Sequence, residues 1–258
     1  MHMYLFRLIE GSSIEEAEEE LAKAGLQGIF VIEDDASGEI LLGGHAKKKI
    51  RLKNMTHSLL AEEKKEVDWK EQWALFAEDF KEGRAHIDLS RFGAEKTLLL
   101  TPGPGFGDLS HPTTYLMLEM MKGRVSGKEI VDIGTGSGVL ALAALMMGAT
   151  SAIGIDIDGD ALKHAKENAK INGLEEGVQF AKKIPRRMQG KSVFLMNLIF
   201  PEQKMVGPAE WNRFAEIWIV TGILEEQKKE YLKQASDWGW KPVAEYSRSE
   251  WVGWIFAI

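Results

Sequence analysis

The segment Asp132-Ile133-Gly134-Thr135-Gly136-Ser137-Gly138 has the composition and spacing of a ligand cradle. Glycine has no Cβ, so a loop carrying three of them lets a ligand approach bare backbone. The loop lies between an apolar run at 129–133 that reads as a strand and one at 139–147 that reads as a helix. That is the context in which such a loop carries function. A dinucleotide fingerprint spaces its glycines G-x-G-x-x-G; here the spacing is G-x-G-x-G, and Val139 follows. Asp132 precedes Gly134 by two residues. A carboxylate there repels a diphosphate and suits a cationic ligand. S-adenosylmethionine, with its sulfonium and α-ammonium groups, fits Asp132, Gly134, Gly136 and Gly138 better than a nicotinamide dinucleotide does. The plainer alternative is a tight strand-to-helix turn with no ligand.

Asp156 stands at the end of the next predicted strand, in Gly154-Ile155-Asp156-Ile157-Asp158. An acid at that strand end can accept hydrogen bonds from both hydroxyls of a ribose. Asp158 reads as the N-cap of the following helix. Asn197 follows the apolar run 192–196, where ligands of open α/β sheets bind. Its amide can accept from an amine and donate elsewhere, and a simple polar strand cap is equally open. Residues 101–114 hold three glycines and three prolines ahead of an apolar helical pattern at 116–121. Such a loop can wall a site. The plainer alternative is that Thr113 or Thr114 caps that helix. His111 has no metal-ligand spacing around it, and no metal site is expected. No Ser-His-Asp arrangement is legible, which leaves a hydrolase unsupported.

The elements that must position these residues read as alternating strands and helices. Strands are expected at 129–133, 151–157, 178–181, 192–196 and 216–221, helices at 139–147, 158–170 and 224–237, and a hairpin over 243–258. Such alternation, with apolar strands, makes a parallel sheet covered on both faces. Ahead of it, residues 4–9, 28–33 and 39–42 read as strands. Ser12 or Ser13 caps a helix to about Ala24, and a turn spans 34–38. The run 47–53 is basic and lacks interleaved aromatics, so a solvated edge is the default reading. Residues 58–80 read as a charged linker helix with Trp69 and Trp73 on one face. The boundaries are therefore a small α+β domain at 1–57, a linker helix at 58–80 and an α/β domain at 81–258.

The chain has 258 residues, no cysteine, and 32 Lys+Arg against 39 Asp+Glu, a net charge of −7. The lack of cysteine excludes disulfides, thiol catalysis and Cys-ligated metals. An acidic body is poorly suited to nucleic acid or anionic lipid. The opening residues, broken by Arg7 and Glu10, are not expected to form a signal peptide, and the longest apolar run, 139–147, is too short for a membrane span. A cytoplasmic monomer is expected.

Several segments together resemble the ribosomal protein L11 methyltransferase family. They are Phe106-Gly107 with His111-Pro112-Thr113-Thr114, the glycine loop, residues 154–158, Asn168-Ala169 with Asn172-Gly173, Asn197-Leu198, Thr221-Gly222-Ile223-Leu224 and Asp68-Trp69 with Trp73. The resemblance implies a Rossmann-like class I methyltransferase domain behind a small ferredoxin-like α+β domain. It implies S-adenosyl-L-methionine as cofactor and ribosomal protein L11 as protein substrate, methylated on its N-terminal amine and lysines. It implies Phe106, Thr114, Gly134, Asp156 and Asn197 as cofactor contacts, and Asn197, from its strand-end position and the family match, is expected to orient either the acceptor amine or the methionine end of the cofactor. The chain departs from the family pattern at Asp108-Leu109-Ser110 and at Phe200, which is expected to narrow or reshape the acceptor pocket. A methyltransferase for another acceptor, or a binding module without catalysis, is the alternative.

Overall fold

The computed structural model describes residues 2–9, 11–33, 40–46, 57–64, 79–105, 107, 111–184 and 190–258. The chain separates into two compact units, Met1–Asp68 and Trp69–Ile258.

In the first unit, β1 (His2–Leu8) leads into α1 (Ile14–Lys23), followed by β2 (Gln27–Glu33), β3 (Ile40–Ala46) and β4 (His57–Lys64). Ser13 is the N-cap of α1, its hydroxyl accepting from the Glu16 amide at 3.5 Å, and the chain turns at Gly25 with φ +97°. Tyr4 and Phe6 alternate along β1 and stack at 5.9 Å. They meet Ala17 and Leu21, four apart on α1, with Leu26 and Leu42 in one small core. The sheet order is β2-β3-β1-β4, with every adjacent pair antiparallel.

The linker helix expected from residue 58 is corrected here, because His57–Lys64 is a strand and the unit extends to Asp68. Residues 58–64 include good helix formers, but intrinsic propensity is a weak prior. The edge of β1 away from β3 offers a row of backbone donors and acceptors, and pairing with β4 satisfies them. The turn at 34–38, the basic run at 47–53, Trp69 and Trp73 lie outside the described residues.

The second unit opens with three short strands, β5 (Phe80–Lys81), β6 (Arg84–Asp88) and β7 (Thr97–Leu100), paired in that order. Then follow α2 (Pro112–Met121), β8 (Glu129–Ile133), α3 (Val139–Met146), β9 (Ser151–Ile155), α4 (Gly159–Ile171), β10 (Val178–Ala181), β11 (Ser192–Asn197), α5 (Phe200–Val206), β12 (Ala215–Leu224), α6 (Lys228–Asp237), β13 (Lys241–Arg248) and β14 (Trp251–Ala257). The main sheet runs β10-β9-β8-β11-β12-β14-β13. It is parallel from β10 to β12 and antiparallel at β14 and β13. The expected parallel sheet is thus mixed, because a hairpin can pair only antiparallel. The unit is a Rossmann-like α/β fold.

Alternation along the strands builds a core on each face. Ile130, Val193, Leu195, Ile219 and Ile255 join α2 and α3 in one core. Val131, Ile133, Phe194, Met196, Trp218, Trp254 and Phe256 join Tyr231 of α6 in the other. With both faces buried, a one-residue slip would exchange the two sets, which pins the register.

One local feature fixes the carboxyl ends of β11 and β12. The β12–β14 register breaks between Val220 and Ile223, and Gly222 there has φ +95°. A Cβ at Gly222 would overlap the Leu198 carbonyl oxygen. Gln203, fully buried, donates to the carbonyls of Leu198 at 2.7 Å and Thr221 at 2.9 Å. Gly222→Ala should therefore cost upwards of about 3 kcal/mol. Gly123→Ala, also at positive φ (+72°) but with open space around it, should cost only about 1 kcal/mol. Urea unfolding of the two variants checks the difference.

Candidate functional site

The β8–α3 junction is built so that backbone, not side chains, faces the carboxyl edge of the sheet. The amides of Gly134 and Thr135 both donate to the Ile155 carbonyl, at 2.8 and 2.9 Å, tying the loop to the end of β9. Gly134, Gly136 and Gly138 have φ of +75°, +54° and +82°. A side chain at Gly134 would overlap Leu198, and Gly138 is the left-handed N-cap from which α3 starts. The sheet continues beside it, with Ile133 of β8 paired to Met196 of β11, so Asn197 ends its strand at the same edge.

Two carboxylates hold the loop. Asp132 is fully buried and accepts from the Thr135 hydroxyl at 2.7 Å. Its other oxygen, Oδ1, faces the first turn of α3 but has no partner of ordinary hydrogen-bond geometry. Burial raises its pKa to about 7, against the lowering pull of the Thr135 hydroxyl and the Ala141 amide, and Asp156 adds to the rise. Asp132 therefore lies beneath the loop as its buried support. Asp156, half-buried, follows β9 directly. It accepts the Gly136 amide at 3.0 Å through Oδ2 and the Asp158 amide at 2.9 Å through Oδ1. Each oxygen keeps a lone pair for a further donor. Asp158 is the N-cap of α4, accepting from Asp160 at 3.0 Å.

Asp132, Gly134, Gly136, Gly138 and Asp156 are thus joined in one bonded constellation, with Asn197 at the neighbouring strand end. Asn197 is half-buried, and no hydrogen bond engages its side chain among the described residues. Thr114 sits in the first turn of α2, fully buried, and its hydroxyl has no partner among the described residues. The cap of α2 is His111, not Thr113 or Thr114: its Nδ1 accepts the Thr113 amide at 3.3 Å. The His111 ring rests edge-on against Trp251 at 5.0 Å. Phe106 and residues 108–110 lie outside the described residues.

Phe200 does not narrow the crevice. It is buried against Tyr231 of α6 at 5.1 Å, with Lys204 Nζ 4.0 Å from its ring centre. An aromatic at the first position of α5 finds more apolar area in the core than at the sheet edge. Ile199, half exposed, faces solvent beside Asn197 instead. Glu202, in the first turn of α5, has its pKa raised. Partial loss of water around its carboxyl contributes most, the Ile199 amide opposes it, and the Asp156 charge adds to it.

His164, absent from the motifs read in the sequence, is 3% exposed and bonded to both Thr101 and Gly105. Its signal was the four-residue spacing of His164, Asn168 and Asn172 along α4. Among the described residues, no group of His, Asp and Glu could hold a metal ion, and no helix is long and apolar enough to cross a membrane. The arrangement can hold a ligand bearing vicinal hydroxyls and positive charge over bare backbone.

The raised pKa of Asp132 makes stability depend on pH. The unfolded carboxyl ionises near 3.8, the folded one near about 7, so between these values the unfolded state has lost the proton that the folded state keeps. Asp132 therefore lowers stability as pH rises through this window, with a slope of at most about 1.4 kcal/mol per pH unit and none above it. Asp132→Asn should remove that component, as read from urea unfolding across the window.

A family model described as Ribosomal protein L11 methyltransferase (PrmA) matches residues 8–257. Ribosomal protein L11 methyltransferases from Pseudomonas paraeruginosa and Dictyoglomus thermophilum are each 34% identical, over 180 and 178 residues, covering 66% of this chain and 60% and 59% of their own lengths. That of Chromobacterium violaceum is 38% identical over 144 residues, 55% of this chain and 48% of its own. The chain spans about 60% of the length of the curated relatives it matches first. Among solved structures, the ribosomal protein L11 methylase of Lactobacillus delbrueckii subsp. bulgaricus superposes with a TM-score of 0.56 at 24% identity, covering 63% of this chain and 86% of that one; it supports the fold. With the family model running through both units and through every strand-end loop described above, the chain belongs to the ribosomal protein L11 methyltransferase family.

Proposed function

We propose that the chain is an S-adenosylmethionine-dependent protein N-methyltransferase, and that its acceptors are amino groups of ribosomal protein L11, the N-terminal amine and lysines. The observation that carries the cofactor reading is the Asp156 carboxylate. It is fixed by the Gly136 and Asp158 amides at the end of β9, beside a loop whose glycines leave no side chain in the way. The family membership and the names of the relatives support the acceptor.

S-adenosylmethionine, when bound, supplies a methyl carbon already activated by its sulfonium sulfur. Asp156 accepts from ribose hydroxyls through its remaining lone pairs. Gly134, Gly136 and Gly138 form the floor, and Thr114 and Phe106 contribute from the 101–114 side. Asn197 orients the acceptor amine, its Oδ1 accepting an N–H so that the nitrogen lone pair points along the line of attack. Alignment of this kind is the main contribution left for a protein to make when the electrophile is already reactive. The amine must be neutral to attack, and exclusion of water at the sheet edge disfavours its ammonium form. No membrane or nucleic acid takes part, and the chain acts as a cytoplasmic monomer. The first unit, with the strand order β2-β3-β1-β4, is a ferredoxin-like domain that recognises the substrate.

Incubating the protein with purified L11 and methyl-labelled S-adenosylmethionine should place label on L11 amines; no label on L11, with label on another protein of a cell lysate, would reassign the acceptor. Asn197→Ala should lower kcat about a hundredfold with cofactor affinity little changed. Asp156→Ala should weaken binding of S-adenosylhomocysteine by about 10- to 100-fold, the equivalent of one charged hydrogen-bonding group. Calorimetry and label transfer separate the two roles.

A further inference from the structure

Residues 101–105 leave β7 without regular structure, so their backbone groups need partners elsewhere. One face of α4 supplies them. Asn172 both donates to the Leu99 carbonyl at 2.7 Å and accepts the Leu99 amide at 2.9 Å. Asn168, one turn earlier, accepts the Thr101 amide and hydroxyl at 2.9 and 2.8 Å, while its Nδ2 donates to the Ser137 carbonyl at 2.9 Å. His164, another turn earlier, spans the segment: Nε2 lies 2.7 Å from the Thr101 carbonyl, and Nδ1 accepts the Gly105 amide at 3.1 Å.

The far side of this segment rests on the glycine loop. A Cβ at Gly105 would meet the Ser137 nitrogen at 2.5 Å and the Gly136 carbonyl carbon at 2.6 Å, and one at Gly103 would meet the His164 ring at 2.6 Å. The Ser137 hydroxyl donates to the Gly107 carbonyl at 2.7 Å. The imidazole, the backbone of residues 101–105 and the glycine loop therefore form a stack, and movement of its outer layer changes the wall beside Gly136.

The partners dictate the state of the ring. Thr101 offers only a carbonyl at 2.7 Å and Gly105 only an N–H, so His164 is assigned neutral with its proton on Nε2; Asn168 Nδ2, 3.3 Å from Nε2, donates to the Ser137 carbonyl. A second proton on Nδ1 would face the Gly105 N–H, and that bond would be lost. Burial lowers the His164 pKa, while the Thr101 carbonyl and the charge of Glu167 pull it upward. Glu167 lies on α4 itself; residues 101–105 carry no ionisable side chain. In the glycine loop, Asp132 is engaged by Thr135, and Asp156 by two amides. The neutral ring holds the fold above the ordinary histidine pKa of 6.5. As pH falls from there toward the lowered folded value, the unfolded chain takes up the proton first and the stabilisation is lost.

We infer that His164 is a positioning residue for the cofactor crevice: its neutral imidazole latches residues 101–105 onto the glycine loop, and its protonation releases them and weakens cofactor binding. This rests on the reading of the crevice as the S-adenosylmethionine site.

The test is calorimetric binding of S-adenosylhomocysteine to the full chain from about pH 8 to about pH 5, with NMR titration of the His164 ring and hydrogen exchange of the Gly105 amide. Wild type should lose about five- to tenfold in affinity on the acid side, the worth of roughly one hydrogen bond. The ligand should push the His164 pKa further down. His164→Ala should already be about five- to tenfold weaker at the alkaline end and lack that acid-side loss. His164→Asn, which keeps an acceptor near the Nδ1 position but cannot titrate, should bind near wild type and stay flat, and it serves if the alanine variant folds poorly. Without ligand, Gly105 amide exchange should be at least about tenfold faster in His164→Ala. A His164→Ala protein with wild-type affinity and pH profile, or a ring pKa indifferent to ligand, would overturn the latch while leaving the cofactor site standing. If wild type binds no S-adenosylhomocysteine at any pH, the site reading fails, and the link to cofactor binding fails with it; unchanged Gly105 exchange would then reject the latch itself.

Discussion

A loop of glycines at positive φ exposes amides that no helix or sheet ladder satisfies, and this chain resolves the problem with acids and carbonyls from the two strands beside it. The Ile155 carbonyl takes two of those amides, Asp156 takes a third, and Asp132 takes the Thr135 hydroxyl. Each partner comes from β8, β9 or the residue just beyond. The loop therefore keeps its shape only while these two strands stay in register. The register is in turn enforced by the two different apolar sets on the two faces of the sheet. Core packing and site geometry are consequences of the same strand alternation.

The other side of the crevice depends on a polar face set into an otherwise apolar helix packing. His164 and Asn168 on α4, with its C-cap Asn172, lie four residues apart: the first two take backbone groups of the irregular segment after β7, and Asn172 takes those of Leu99 within β7. Removing one member would leave a donor or acceptor unsatisfied, which costs more than the bond itself contributes. At the third edge, Gln203 ties the ends of β11 and β12 together and accepts the Tyr231 hydroxyl at 2.6 Å. Asn197 is thereby held at a strand end fixed from both sides, its own amide uncommitted among the described residues.

Local signals in the sequence placed the elements around the glycine loop well. The apolar strand, three spaced glycines and apolar helix around residues 129–147, the Asp158 cap and the Ser13 cap all rest on near-neighbour chemistry, and the structure has them where that chemistry puts them. What depends on partners distant in sequence was not legible. Residues 58–64 carry helix-forming side chains yet pair with β1. The β5-β6-β7 sheet, built from very short strands, leaves little periodicity to read. Phe200 was placed by its position beside Asn197, but Tyr231, 31 residues onward, draws it into the core. His164 was invisible as a site residue because its partners are backbone groups some sixty positions earlier. Backbone partners leave no trace in side-chain identity, so only the four-residue spacing on α4 could have pointed to it.

Under the proposed function, a preformed turn of bare backbone, braced by Asp132 and flanked by Asp156, receives the adenosyl group. The most direct measurement is a crystal structure of the protein with S-adenosylhomocysteine. The account predicts ribose hydroxyls within hydrogen-bond distance of the Asp156 carboxylate, with the backbone of residues 134–138 unmoved and its bonds to Ile155 intact. A ligand bound away from the carboxyl ends of β8 and β9, or a turn rebuilt to admit it, would contradict the account.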